Sequence, residues 1–267
     1  METMNYAPSS LKRTLYAIVQ CGDALIFDGS DDQRSCNDYQ VPLRNIPYQE
    51  IGAVDGNLLP GKSAVTPENV LRHERIIEQL MRRFTLLPVR FGTVLADDRE
   101  VEALLVARYA TFQRNLKRVA NRVELDIKIL WPDEEIRREI EVSSPPVERI
   151  RVEAALAAPG KNYLLRRMQE QTVIEEMRRR AIDLSETIHR TLLHYASEGT
   201  CDSCVSPGLV MSAHYLVERA RVEQFRQVVV GLESEPREPK GTCLHFLCSG
   251  PWPPYNFIDQ ELGARET

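Results

Sequence analysis

The segment GNLLPGKS, Gly56 to Ser63, satisfies the G-x-x-x-x-G-K-[ST] spacing of a phosphate-binding loop. In such a loop, glycine-rich backbone N–H groups and a lysine cradle nucleotide phosphates. Lys62 and Ser63 would be the phosphate and magnesium ligands. That chemistry requires both to open a helix whose N–H groups face the anion. Pro67 follows Ser63 by only four residues, and the residue before a proline avoids helical backbone. A helix starting at Lys62 would break almost at once. Pro60 also removes an N–H from the loop itself, and no apolar strand ending in a well-placed Asp offers a magnesium partner. The segment reads as a polar turn between a strand and a helix, with Lys62 exposed and residues 62–65 outside any helix.

Metal and redox chemistry would fall to six cysteines: Cys21, Cys36, Cys201, Cys204, Cys243 and Cys248. The Cys201-x-x-Cys204 pair with a second pair is the pattern of a zinc module. Cys243 and Cys248 are five apart in a predicted strand, and odd separations point to opposite faces. Pro207-Gly208 after Cys204 reads as loop, not as the helix start of a redox motif. Reduced thiols are the expected state. The histidines, His73, His189, His194, His214 and His245, are scattered, and His73-Glu74 runs into Arg-Ile-Ile rather than a zinc-protease helix. The carboxylates sit among arginines on helix faces, where ion pairs are the default. No catalytic, cofactor-binding or metal-ligating set is assigned, and no enzyme activity is expected.

The tail GPWPPYNF carries a different kind of signal. Its prolines favour an extended path that presents Trp252, Tyr255 and Phe257, the candidate partner-docking or interdomain residues. Pro251, Pro253 and Pro254 cannot donate ladder hydrogen bonds, so the chain is expected to leave its sheet at Gly250. Trp252 and Tyr255 are one polyproline turn apart and should point the same way, into a crevice between two domains.

The elements that position these residues follow from periodicity. Thr14 to Val19 reads as a strand, and Ile46 to Val54 as another that ends at a turn, Asp55-Gly56. Thr66-Pro67-Glu68 opens a helix to about Phe84, with Val70, Ile77, Leu80, Met81 and Phe84 inward. Pro88 to Leu95 alternates as a strand, and Asp97-Asp98 starts a helix to about Ala120. Arg122 to Leu130 has the cleanest period of two: Val123, Leu125, Ile127 and Ile129 face a core, while Arg122, Glu124, Asp126 and Lys128 face water. The charged stretch 134–157 is broken by Pro145-Pro146. Residues 161–198 form a long helical pattern with Ile174, Met177, Ala181, Leu184, Ile188, Leu192 and Tyr195 inward. It would reach ~57 Å at ~1.5 Å per residue, so part of it must project or pair with 134–157 as an arm. A strand at Leu209 to Val217, a helix at Arg221 to Leu232 and a strand at Gly241 to Cys248 complete the chain.

The fold class is α+β in two domains. Residues 1–121 form a small mixed sheet domain. Residues 122–267 form a modified ferredoxin-like fold with a long helix and the aromatic tail. A length of 267 residues suits two ordinary domains. A net charge of −5 disfavours a nucleic-acid partner. No apolar run exceeds five residues (Ala103 to Ala107 is one), far short of the ~20 of a membrane span, and no secretory leader opens the chain. Of 34 basic residues 28 are Arg, whose planar, weakly hydrated heads suit protein contacts.

TLYAIV near residue 14, LPVRFGTVL at 87–95, RVELDIKI at 122–129, AHYLV at 213–217 and SGPWPPYNF at 249–257 together resemble the gas vesicle F/L family (GvpF/GvpL). The resemblance runs in order along nearly the whole chain. It implies a non-enzymatic accessory or structural protein of gas vesicles, the hollow shells that give some microbes buoyancy. It further implies binding to the small hydrophobic shell protein and to other accessory proteins, and a place at the gas vesicle within the cytoplasm. It implies no cofactor and no small-molecule substrate. The departures are Cys243 and Cys248 in the last strand and the acidic loop at 28–38. Two other readings stand beside it: a nucleotide-binding protein using Gly56 to Ser63, and a zinc-stabilised interaction module using Cys201 and Cys204.

Overall fold

The computed structural model describes residues 12–27, 43–58, 65–235 and 243–258. Lys62, Ser63, Cys36 and the loop at 28–38 lie outside the described residues, as does the side chain of Cys204. Among the described residues the chain is a mixed α/β protein with two antiparallel sheets and six α-helices. It divides into two compact units, Met1–Val123 with Trp252–Thr267, and Glu124–Pro251. The tail thus groups with the first unit, where the sequence placed it with residues 122–267.

The first unit begins with β1 (Arg13–Val19), β2 (Leu25–Phe27), β3 (Leu43–Tyr48) and β4 (Ile51–Asn57). Helix α1 (Pro67–Arg83), β5 (Leu86–Pro88), β6 (Val94–Leu95) and α2 (Asp98–Val119) follow. The sheet order is β2-β3-β4-β1-β5, with β6 also paired to β1. Both helix starts behave as the residue types require: the Thr66 side chain accepts from the Asn69 N–H at 3.3 Å, and Asp97 from Glu100 at 3.0 Å. Leu15, Ile18, Ile51 and Leu87 of the sheet bury against Val101, Leu105, Phe112 and Leu116 of α2.

Two expected strands come out differently. The run 46–54 is a hairpin: Tyr48 pairs with Ile51 across a two-residue turn at Gln49-Glu50. Asp55 and Gly56, expected as a turn, lie inside β4. The run 88–95 is two short strands separated by a turn at Gly92, whose φ of +90° suits only glycine.

Asp55 is 0 % exposed and Arg13 3 %. Arg13 grips the carboxylate with two hydrogen bonds of 2.7 Å, from Nε and Nη2. Arg44 adds a third at 3.0 Å and also pairs with Asp98 in the first turn of α2. His73, on α1, is equally enclosed. Its Nε2–H donates to the Val89 carbonyl at 2.7 Å, its ring stacks on Tyr16, and its Nδ1 is buried without a hydrogen-bond partner. Burial therefore holds its pKa below the ordinary histidine value.

The second unit starts in β7 (Arg122–Leu130). Helices α3 (Asp133–Ser143), α4 (Pro145–Leu156) and α5 (Pro159–Leu193) follow, then β8 (Glu198–Ser206) and β9 (Leu209–Glu218). Helix α6 (Val222–Ser234) and β10 (His245–Trp252) complete it. The sheet order is β10-β7-β9-β8. Leu125, Ile127 and Ile129 of β7, with Tyr215 of β9, pack against Ile188 and Leu192 of α5 and Phe225 of α6. At 35 residues, α5 is roughly 50 Å long. Its first half packs with α3 and α4 around a separate small cluster of Ile136, Ile140, Val147, Val173 and Met177. Val173, not the expected Ile174, takes the inner position there; Ile174 is exposed.

Strand β8 occupies residues that read as helix end and loop. It pairs with β9 through Thr200↔His214 and Cys201↔Ala213, and Gly208 turns the hairpin with φ +76°. Glu124, expected on a wet face, is 2 % exposed.

Asp55→Ala should lower the stability of the first unit by about 3–5 kcal/mol in denaturant unfolding, because it leaves the Arg13 guanidinium buried without its carboxylate. His73 should make that unit acid-sensitive. The unfolded chain binds the His73 proton near the ordinary pKa of ~6.5 and the folded unit only at lower pH. Stability should therefore fall as pH drops through ~6.5, and His73→Gln should flatten that slope.

Candidate functional site

Exposed apolar surface held on helices offers a place where another apolar group can pack. The helical arm of the second unit supplies it. At the elbow between α4 and α5, Val152, Leu156, Tyr163, Leu164 and Met168 are all exposed. Leu164 and Met168 are one helical turn apart and share a face. Further along α5, Ile174, Met177, Ala181 and Ile182 form one wall of a groove of about 590 Å³. The other wall is the β8–β9 turn, Ser206 to Val210, with Trp131 and Asp133 at one end. The turn is anchored: Asp133 Oδ1 accepts from the Gly208 N–H at 3.1 Å and from Trp131 Nε1 at 3.2 Å, and the Trp131 N–H donates to the Gly208 carbonyl at 3.0 Å. Arg137 and Arg178 reach the groove as well. The arm is braced by ion pairs across its helices, Arg180 to Glu139 at 2.8 Å and Arg137 to Glu170 at 3.6 Å.

The tail is fixed at its far end. Strand β10 continues through a cis Gly250–Pro251 bond to Trp252 instead of stopping at Gly250. It can do so because β10 is an edge strand, where a missing N–H need break no ladder. Tyr255 to Phe257 then form a 3₁₀ turn, not a polyproline path. Phe257 is 2 % exposed, and Ile258 packs on the first unit's core. The Tyr255 hydroxyl donates to Glu74 Oε2 of α1 at 2.9 Å. Burial raises the Glu74 pKa, and the Tyr255 hydrogen bond lowers it in part. Trp252 keeps 37 % of its surface exposed, so it does not share the burial of Phe257.

The two nucleotide and zinc readings find no support. Gly56 sits in β4 against Leu43 and Tyr16, not in a phosphate-facing loop. Cys201 is half-buried on β8, Cys248 half-buried on β10, and Cys243 exposed. Burial raises the thiol pKa of both Cys201 and Cys248, which disfavours the thiolate a metal needs. Among the described residues, the group of donors close enough to share an ion is Glu124, Asp126 and His214. Sequence reasoning missed it because His214 is 88 residues from Asp126. The single available signal was the alternation of β7, which sets Glu124 and Asp126 on one face.

The family model described as "Gas vesicle synthesis protein GvpL/GvpF" matches residues 14–259. Gas vesicle protein L of Streptomyces sp. is 33% identical over 193 residues, covering 69% of this chain and 66% of that protein. Gas vesicle protein F of the same organism is 24% identical over 196 residues, covering 72% and 77%. The crystal structure of GvpF from Anabaena sp. superposes with a TM-score of 0.79 at 20% identity, over 94% of this chain and 99% of that one. No described helix is long and apolar enough to cross a membrane.

Tyr255→Phe should destabilise the first unit by about 1 kcal/mol. Glu74→Gln should act in the opposite direction at neutral pH. A raised pKa means that the folded unit holds the Glu74 proton where the unfolded chain has lost it, so ionisation at higher pH weakens the fold. The thermal midpoint of Glu74→Gln should exceed that of the parent at pH 7, and the gain should vanish once the pH falls below the unfolded carboxylate range.

Proposed function

The chain belongs to the GvpL/GvpF family of gas vesicle synthesis proteins, and from that premise we propose that it acts without catalysis, as an assembly partner of the small apolar shell protein at the gas vesicle. The observation that supports this most is the exposed apolar surface of the helical arm, from Leu164 and Met168 at the elbow to Ile174 in the groove. A subunit that lines a gas space must carry an apolar surface that aggregates when free. A groove between a helix and a hairpin turn can receive one apolar segment of it, as an amphipathic helix is received in other groove-binding proteins. The second unit's sheet order, β10-β7-β9-β8, with helices after the first and third of its strands in chain order, is the ferredoxin-like arrangement we infer for it. In that arrangement the arm is an insertion between β7 and β8.

Trp252, Tyr255 and Phe257 are proposed for a partner contact of the first unit, in unequal roles. Tyr255 and Phe257 secure the segment, and Trp252 offers an indole surface to a partner.

Co-expression with the shell protein tests the arm. The parent should co-purify with it. Leu164→Glu with Met168→Glu, and separately Ile174→Glu, should reduce recovery at least about tenfold, since one buried charge opposite an apolar surface weakens binding by more than ~1.4 kcal/mol. All three positions are exposed, so thermal midpoints should stay within about 1 °C of the parent. Undiminished co-purification by both variants would overturn the assignment of this surface.

A further inference from the structure

Two carboxylates and an imidazole converge on β7 and β9, the two central strands of the second unit's sheet. His214 Nδ1 lies 2.7 Å from Asp126 Oδ1 and 3.5 Å from Glu124 Oε1. One donor atom from each of the three residues lies within 4.8 Å of the others. The Glu124 side chain is 3 % exposed, while those of His214 and Asp126 are 29 % and 28 % exposed.

We propose that Glu124, Asp126 and His214 form a binding site for a divalent first-row transition ion. Carboxylate oxygens with one imidazole nitrogen suit Zn²⁺, Mn²⁺ and Fe²⁺. Glu124 and Asp126 are two apart on one strand, so their side chains leave the same face. His214 reaches them from the adjacent strand, ~4.8 Å away. The backbone of two paired strands therefore sets the spacing of all three donors before any ion arrives. Zn²⁺ bonds of about 2.0–2.2 Å in a tetrahedron place donor atoms roughly 3.3 Å apart. The His214–Glu124 separation is already close to that. The His214–Asp126 pair must open by about half an ångström, which a small χ rotation of two partly exposed side chains supplies. Loading turns the Nδ1 lone pair to the ion and leaves the imidazole proton on Nε2. The remaining position opens to water on the exposed side, as in three-ligand protein sites. The donors are oxygen and nitrogen only, which separates this site from any cysteine module.

The test uses the full chain, stripped with a chelator and titrated with Co²⁺. One Co²⁺ should bind per chain, with visible d–d bands and no thiolate-to-metal charge-transfer band, and Zn²⁺ should displace it. His214→Gln and Asp126→Asn should each weaken binding about tenfold or more, while Cys201→Ser leaves it unchanged. The circular dichroism of both ligand variants should match that of the parent, because both residues are partly exposed. The absence of Co²⁺ binding by the parent would overturn the proposal and leave the trio as a hydrogen-bonded contact across two strands. A charge-transfer band, or an affinity indifferent to His214→Gln and Asp126→Asn, would overturn it equally.

Discussion

The architecture of the first unit depends on a carboxylate taken wholly out of water. Asp55 would be intolerable in that position alone, and the guanidinium of Arg13 is there to meet it with a planar fork. The consequence is register. Asp55 stands opposite Leu15 of β1 on one side and Arg44 of β3 on the other. Arg44 carries the charge on to Asp98 at the start of α2. Four elements are thus located by one connected set of ions. A slip of one residue in β4 would turn Asp55 to the opposite face and strand both arginines. Apolar packing alone specifies that register less sharply, since β4 is buried along almost its whole length.

This same residue marks the limit of what periodicity reveals. Asp-Gly is a turn signal because both residues tolerate unusual backbone, and nothing local distinguishes an Asp that turns a chain from one that is buried by a distant Arg. The information lay at Arg13, forty-two residues away. Strand β8 was hidden for a related reason. It is an edge strand of small and polar residues, so it lacks the alternation that a half-buried strand shows. Its identity comes from pairing with β9. By contrast, Thr66-Pro67 and Asp97 cap helices through bonds to residues three positions on, and local chemistry of that kind was legible. So was the apolar side of β7. The candidate surface was half legible: the length of α5 and the break at Pro145-Pro146 announced an arm, while the exposure of Ile174 in place of Val173 required the packing of α3 and α4 to decide.

The arm and the body of the second unit are stabilised in different ways. The body encloses Tyr215 and Phe225 with many aliphatic neighbours. The arm encloses a small cluster of five buried side chains, with Ala154 and Leu165 buried beside it, and is braced by ion pairs between its helices. Small satellite cores of this sort open at lower free energy than the main core. The arm can therefore open locally without disturbing the sheet beneath it.

Strand β10 also has a bearing on how the open margin of the second unit's sheet behaves. Sheet margins template foreign strands when they present a continuous row of amide donors. Here the row on β10 is interrupted at Pro251, and the chain beyond it meets Pro253 and Pro254 before turning away at Tyr255. Crystals grow only where the next layer finds a complete lattice face, and this margin is incomplete by sequence. At Pro251 the margin lacks an amide hydrogen that a stacking strand would need, which blunts that end of the sheet.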